Sequence, residues 1–257
     1  RRMARTLEEI ARALFRSWFV DFDPVCAKME GRDPALPAHA TDFFPDRFGD
    51  DGLPEGWTMK PVGDLFEIVA GNTPKTAVEA FWNGPHEWAT PKDLAGLSSP
   101  VLLRTGRTLS DAGLAQASSG LLPAGSLLMS SRAPIGYLAF TTRPTAINQG
   151  FAGIVKRQIS TSYAWGWCQA NMDLILGSAN GSTFLEISKG VFRKLPMLAP
   201  PEPILDAYSA VVDDPVERIR LLSVEAETLA ALRDTLLPKL ISGELRIADA
   251  EALVEAA

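Results

Sequence analysis

The sequence predicts an α+β protein: one irregular mixed α/β domain flanked by long helices that pack as an antiparallel, coiled-coil-like pair. Three observations predict it. Near the C-terminus apolar residues recur at Ile219, Leu222, Ala226, Leu229, Leu232, Leu236 and Leu240. Those steps of three and four trace one face of a helix with charged sides. Near the N-terminus, Thr6–Phe15 aligns with Thr228–Leu237 at an offset of 222 positions, and Phe19 then falls on Ile241. Between these ends the chain turns into short β-like runs separated by Gly and Pro.

Taken in order, the N-terminal copy of the repeat has only five residues before its Thr-Leu, whereas the C-terminal copy has more than ten. The chain is therefore expected to begin inside a helix, as a fragment of a longer protein. Residues 29–56 are rich in Pro, Asp and Gly and read as a long linker. Candidate strands follow at Leu65–Ala70, Leu127–Ser131, Tyr137–Thr142 and Gly150–Lys156, and residues 162–176 are more helix-like. Pro200-Pro201 closes the β-rich part. The last helix is expected to start at Asp214, with Asp214 as N-cap, Pro215 in the first turn and Glu217 completing a capping box. Pro238 and Gly243 mark its expected end. From Val216 to Leu237 it would run about 33 Å at roughly 1.5 Å per residue.

Composition narrows the function. The 257 residues are 46% hydrophobic, enough for a buried core. No run approaches 18 consecutive apolar residues, so no membrane span is expected. Two cysteines, Cys26 and Cys168, 142 positions apart, fit a reducing compartment without a disulfide framework. The formal charge of −6 is unevenly spread. Residues 1–56 carry eight Lys/Arg against eleven Asp/Glu, residues 201–257 five against twelve, and residues 57–200 twelve against eight. A basic centre thus sits between acidic flanks, a pattern that fits a polyanionic partner for the middle. No Gly-Lys dipeptide supplies a phosphate-binding loop. No lysine has Asp or Glu two positions before it, as Mg²⁺-dependent nucleases need, and no Asn/Asp-Pro-Pro-aromatic stretch exists to hold a base for methylation. The two histidines, His39 and His86, and the two cysteines lack zinc-ligand spacing, and no Gly-x-Ser-x-Gly elbow accompanies them. Neither a metal, a cofactor nor intrinsic catalysis is expected.

Several stretches are distinctive: Leu53-Pro54-Glu55-Gly56-Trp57, Ala89-Thr90-Pro91-Lys92-Asp93-Leu94, Ser130-Ser131-Arg132-Ala133-Pro134-Ile135-Gly136-Tyr137 and Ala146-Ile147-Asn148-Gln149-Gly150-Phe151. Gly181-Ser182-Thr183, Ile187-Ser188-Lys189, Leu195-Pro196 and Pro200-Pro201 follow. With them, the middle of the chain resembles the target recognition domain of specificity subunits of type I restriction-modification enzymes. Leu14–Phe22 looks like the end of that family's central helix, and Leu232–Leu245 like its C-terminal helix ending. The resemblance implies four parts: residues 1–28 as the end of the central helix, 29–56 as linker, 57–200 as the DNA target recognition domain and 201–257 as the C-terminal helical region. It also implies a non-catalytic, cytoplasmic subunit that reads one half of a bipartite site in double-stranded DNA. Such a subunit docks the methylation subunits and the restriction subunit, which carry the adenine methyltransferase and ATP-dependent endonuclease activities. The chain looks like the second half of such a subunit, or a half-sized version that would pair as a homodimer. Two alternatives stay open: the C-terminal specificity region of a single-chain restriction-methylation enzyme, and a coiled-coil scaffold that binds no DNA.

Within that framework particular side chains stand out. Arg132, between a β-like run and Pro134-Ile135-Gly136, suits a loop tip and a bidentate contact to guanine, or else closes a surface salt bridge. Asn148 and Gln149 suit adenine edges, although Asn before Gln-Gly also builds a turn. Ser131 adds a hydroxyl. Thr73 and Lys75 lie on a loop, Gly71–Lys75, suited to entering a groove. Lys75, Lys92, Arg104, Arg107, Lys189 and Arg193 are candidate phosphate contacts, against the ordinary alternative of a solvated surface charge. Trp57, Trp82, Trp88, Trp165 and Trp167 are expected in the core. Leu7, Leu14, Leu222, Leu229, Leu232 and Leu236, on the apolar stripes, are the candidate subunit interface.

Overall fold

A computed structural model describes residues 2–36, 40–181 and 185–246. His39, Ser182, Thr183 and the chain after Arg246 lie outside the described residues. The chain opens with helices α1 (Arg2–Phe19) and α2 (Asp23–Met29), then β1 (Thr58–Pro61), α3 (Val62–Leu65), β2 (Glu67–Ala70), β3 (Trp82–Ala89) and α4 (Pro91–Leu94). β4 (Val101–Leu102), β5 (Thr108–Leu109), α5 (Asp111–Leu114), β6 (Leu127–Ser131), β7 (Ile135–Thr141), β8 (Thr145–Ile147) and β9 (Phe151–Val155) follow. The last elements are α6 (Thr161–Ala170), α7 (Met172–Gly177), α8 (Lys189–Lys194), β10 (Pro196–Ala199) and α9 (Glu202–Ile241). This is the expected α+β arrangement, a mixed domain between helical ends.

Three sheets form the domain. The largest runs β2-β9-β6-β7-β4, antiparallel except where β4 joins β7 in parallel. β5-β3-β8 makes a second, and β1 pairs with β10 from Thr58↔Ala199 to Pro61↔Pro196. That last ladder brings the two ends of the β-rich part together beside the helices. β6 is buried along its whole length and β9 along nearly all of it, which is why both read as continuous apolar runs rather than alternating ones.

The helices are antiparallel. Ala4 packs with Ile219 and Leu222 at one end. At the other end Phe15, Trp18 and Phe19 stand 6.0, 5.8 and 5.0 Å from the Tyr208 ring, mostly edge to face. These aromatics continue into the domain's own core, through Tyr163, Trp57 and Phe140. Helical frame and α/β domain therefore share one hydrophobic core.

Several expectations need correction. The last helix starts at Glu202, not Asp214, and Pro215 lies inside it. Ile204, Leu205, Ala207, Tyr208 and Val212 are buried on the same helix as Ile219, and that burial outweighs the roughly 3 kcal/mol an internal proline costs. Pro238 is likewise internal; the helix ends at Ile241, and Gly243, just past the Ser242 cap, takes a φ of 76° that suits a left-handed turn out of the helix. The 40-residue helix is thus about 60 Å long at roughly 1.5 Å per residue. The first helix breaks at Phe22, in left-handed conformation, and restarts as α2 with Pro24 in its first turn. Among its described residues the 29–56 segment is irregular, yet it is strapped down. Ala40 and Phe44 are buried, the Phe44 ring stands 5.2 Å from Trp18, and Lys28 Nζ donates to the Thr41 and Phe44 carbonyls. Residues 162–176 form two helices, α6 being buried almost all round, which explains the weak sequence periodicity there. Both cysteines are free thiols, and burial pushes the Cys168 thiol well up from its usual range.

Candidate nucleic-acid interface

Four segments far apart in sequence converge at one edge of the domain. The 71–75 loop is pinned by its backbone: Gly71 lies so close to Ile147 that a Cβ would stand 1.8 Å from the Ile147 carbonyl oxygen. Asn72 adds two side-chain hydrogen bonds, donating to the Gln116 carbonyl at 3.0 Å and accepting from the Ser118 amide at 2.7 Å. The second segment is the turn at 148–150, where Asn148 Oδ1 accepts from the Gly150 amide at 2.8 Å. Asn148 thus serves as the turn former. The third is the end of β6, whose Ser131 amide donates to the Gly150 carbonyl at 2.7 Å. The fourth is the stretch 186–189, joined to β6 by the Ile187 amide donating to the Ser131 carbonyl at 3.0 Å.

Side chains complete the junction. Thr73 Oγ1 donates to Gln149 Oε1 at 2.8 Å. Lys189 Nζ donates to Ser131 Oγ at 3.1 Å and to the Gln149 carbonyl at 2.5 Å. Glu186 stands between two cations, 3.8 Å from Arg132 Nη1 and 4.0 Å from Lys189 Nζ. Gln149 and Thr73 are exposed, and Arg132 is partly so. Lys92, on α4, is exposed beside the 148–150 turn, since its neighbour Pro91 would be touched by a Cβ at Gly150. α4 is itself held by a Thr90/Asp93 capping box.

Not every expected contact faces this edge. Ser131 is 0% exposed, which leaves it no surface to offer a ligand; its hydroxyl serves Lys189 instead. Arg132 lies in the short connection between β6 and β7, where it forms a β-bridge with Glu186 and a 3.8 Å ion pair with its carboxylate, and its side chain stays partly exposed. Arg104 faces the frame, its Nε 3.2 Å from Glu227 on α9. Arg193 donates to the Ile68 carbonyl. Arg107 stacks 3.5 Å above the Trp82 ring and 5.8 Å from Trp88. Trp82 in turn donates to the Lys75 carbonyl at 3.4 Å, so Lys75 and Arg107 share a second cationic corner. The five tryptophans expected in the core are all buried. Glu186 and Asn72 were missed by the sequence reading. A signal existed only for Glu186, which lies three residues before Lys189.

On the frame, Leu7 and Leu222 pack together with Ala4, Val101 and Ile219, and Leu14 packs on the main core. These three leucines are used within the chain. Leu232 and Leu236 are half-buried and Leu229 is 54% exposed. Leu229, Leu237 and Ile241 of α9 are exposed. None of the described helices is long and apolar enough to cross a membrane, and no cluster of metal-binding side chains occurs among the described residues.

The chain is similar in sequence to several known proteins. Residues 54–207 match the family model described as the type I restriction modification DNA specificity domain. The chain is 27% identical, over 94% of its length, to the type I restriction enzyme HindI specificity subunit of Haemophilus influenzae. It is 30% identical, over 56% of its length, to the MjaIX specificity subunit of Methanocaldococcus jannaschii. It spans 62% of the first relative and 34% of the second. Among solved structures, the HsdS subunit from Thermoanaerobacter tengcongensis aligns over 95% of this chain and 58% of that one, at 19% identity and a TM-score of 0.46. With the family model covering more than half of its residues, the chain belongs to the type I restriction modification DNA specificity domain family.

Proposed function

We propose that this chain reads one half of a bipartite site in double-stranded DNA for a type I restriction-modification complex. Its helical frame docks the methylation and restriction subunits, and the chain performs no chemistry itself. The observation that supports the reading best is the junction of Thr73, Gln149, Lys189, Ser131 and Arg132, whose members are up to 116 positions apart in sequence. Its exposed members are Thr73, Gln149 and, in part, Arg132, whose hydroxyl, amide and guanidinium are donors and acceptors of the kind that tell base edges apart. Exposed Lys92, beside the 148–150 turn, and exposed Lys75, on the same loop as Thr73, add the charge that phosphates attract. Leu229, exposed on the charged-sided α9, supplies an apolar contact for another subunit.

The test is selection from a random duplex pool by the chain together with its methylation subunit, followed by sequencing of the bound DNA. The expected product is a two-part motif in which this chain accounts for one half, with affinity falling steeply as salt rises. If two copies pair their frames, the halves are inverted repeats, and lengthening the frame by whole helical turns shifts the preferred spacer. Absence of any enriched motif at low salt overturns DNA recognition. A single contiguous motif indifferent to helix length overturns the bipartite reading.

A further inference from the structure

Lys189 was expected to meet a phosphate, yet its side chain is only 15% exposed. An ammonium has three donors. Two are engaged inside the protein, by Ser131 Oγ and the Gln149 carbonyl, and the Glu186 carboxylate lies 4.0 Å away. The lysine therefore ties together the end of β6, the 148–150 turn and the start of α8, residues 58 and 40 positions from it in sequence. Beside it lie two more exposed residues: Gln149, whose carbonyl it holds, and Arg132, which follows Ser131 in the chain. Gln149 is exposed, its amide oriented by Thr73; the Arg132 backbone bridges Glu186, and its side chain meets the Glu186 carboxylate, which Lys189 also faces, at 3.8 Å. Among the described residues Arg132 donates no side-chain hydrogen bond, which leaves its guanidinium donors available.

We propose that Lys189 is a positioning residue for base recognition: it fixes Gln149 and Arg132 in the orientation that reads the duplex, and does not itself contact the backbone phosphates. Burial pulls the Lys189 ammonium below its usual range, an effect opposed by Glu186, as befits a charge spent on internal order. The proposal rests on the DNA-recognition reading above.

The test uses the full chain, the duplex it selects from a random pool, and the variants Lys189→Met, Gln149→Ala and the double variant. Lys189→Met should leave the slope of log affinity against log salt unchanged, since no phosphate contact is lost. It should also flatten base preference, by about tenfold, at the same position that Gln149→Ala flattens, with no further loss in the double variant. In the free chain, amide exchange at Gln149 and Gly150 should accelerate in Lys189→Met. If that variant fails to fold, Lys189→Gln takes its place. A slope reduced by about 0.9 with the motif intact would make Lys189 a phosphate contact and overturn the proposal. Unchanged motif and slope overturn it as well, as does unchanged exchange. A wild-type chain that selects no motif defeats the DNA reading instead, and amide exchange then still decides whether Lys189 holds the turn.

Discussion

Gly166 and Phe15 meet where a side chain would not fit: a Cβ on Gly166 would stand 2.3 Å from Phe15 Cδ2 and 2.5 Å from its Cγ. Helix α6 approaches α1 this closely because position 166 carries no side chain. Phe15 also packs at 5.3 Å from Tyr163 of α6 and 6.0 Å from Tyr208 of α9. One ring thus joins the recognition domain to both helices of the frame.

Gly166→Ala should therefore destabilise the chain despite the better helix propensity of alanine. The propensity gain is about 1 kcal/mol, whereas overpacking a filled core costs about 1–3 kcal/mol. A lower melting temperature is expected, with partial recovery when Phe15→Leu is added. A melting temperature that rises would show that the ring gives way freely.

Buried and exposed positions of α9 should respond differently to substitution. Ile219 is buried against Ala4 and Val101, so Ile219→Ala should cost about 2–4 kcal/mol in urea denaturation. Leu229→Glu, at an exposed position, should change stability by no more than about 0.5 kcal/mol while weakening capture of the methylation subunit. Polar substitution at Leu222 conflates the two effects, because Leu222 packs within the chain. Capture by Leu229→Glu at wild-type strength would remove this face from the interface.

Cations at the recognition edge should separate from cations on the frame in a salt titration of DNA binding. Lys75→Ala and Lys92→Ala should each reduce the slope by about 0.9, the signature of one lost phosphate contact. Arg104→Ala should leave the slope unchanged, since Arg104 pairs with Glu227 of α9. An Arg104→Ala slope that falls like the lysine variants would place DNA against the frame.

Glu8 gives a pH signature. Burial raises its carboxyl above 4.5, with Arg12, 3.2 Å away, opposing and Glu9 assisting. The folded chain then holds a proton that the unfolded chain has released, so this group's contribution is fully present below about pH 4.5 and is lost as pH climbs through the raised value. Glu8→Gln should consequently gain stability relative to wild type between pH 4 and pH 7, read as diverging urea midpoints. A constant difference across that range would mean that the carboxyl ionises as freely as in the unfolded chain.

Much of this protein was legible in one dimension. Leu127–Ser131 and residues near 151–155 declared themselves as buried strands because their apolar runs are local properties of the chain. The amphipathic stripe from Ile219 onward marked a helix for the same reason, and the distinctive stretches such as Ala146–Phe151 carried the family resemblance. β4, β5 and β8 escaped notice: at two or three residues they have no periodicity, and each exists only because β7 or β3 supplies its hydrogen-bonding partner.

The candidate site divides along the same line. Residue types suited to DNA were visible in the sequence, but their roles depended on neighbours dozens of positions away. Lys189 and Lys92 are chemically alike. The fold buries one against Ser131 and Gln149 and leaves the other exposed. Arg104 was turned toward Glu227, 123 positions on, and Pro215 was absorbed into α9 by burial of the residues before it. Local pattern determined which segments bury themselves. Only the long-range packing, through hydrogen bonds and ion pairs that no local pattern encodes, decided which polar groups are spent inside the protein and which remain for a partner.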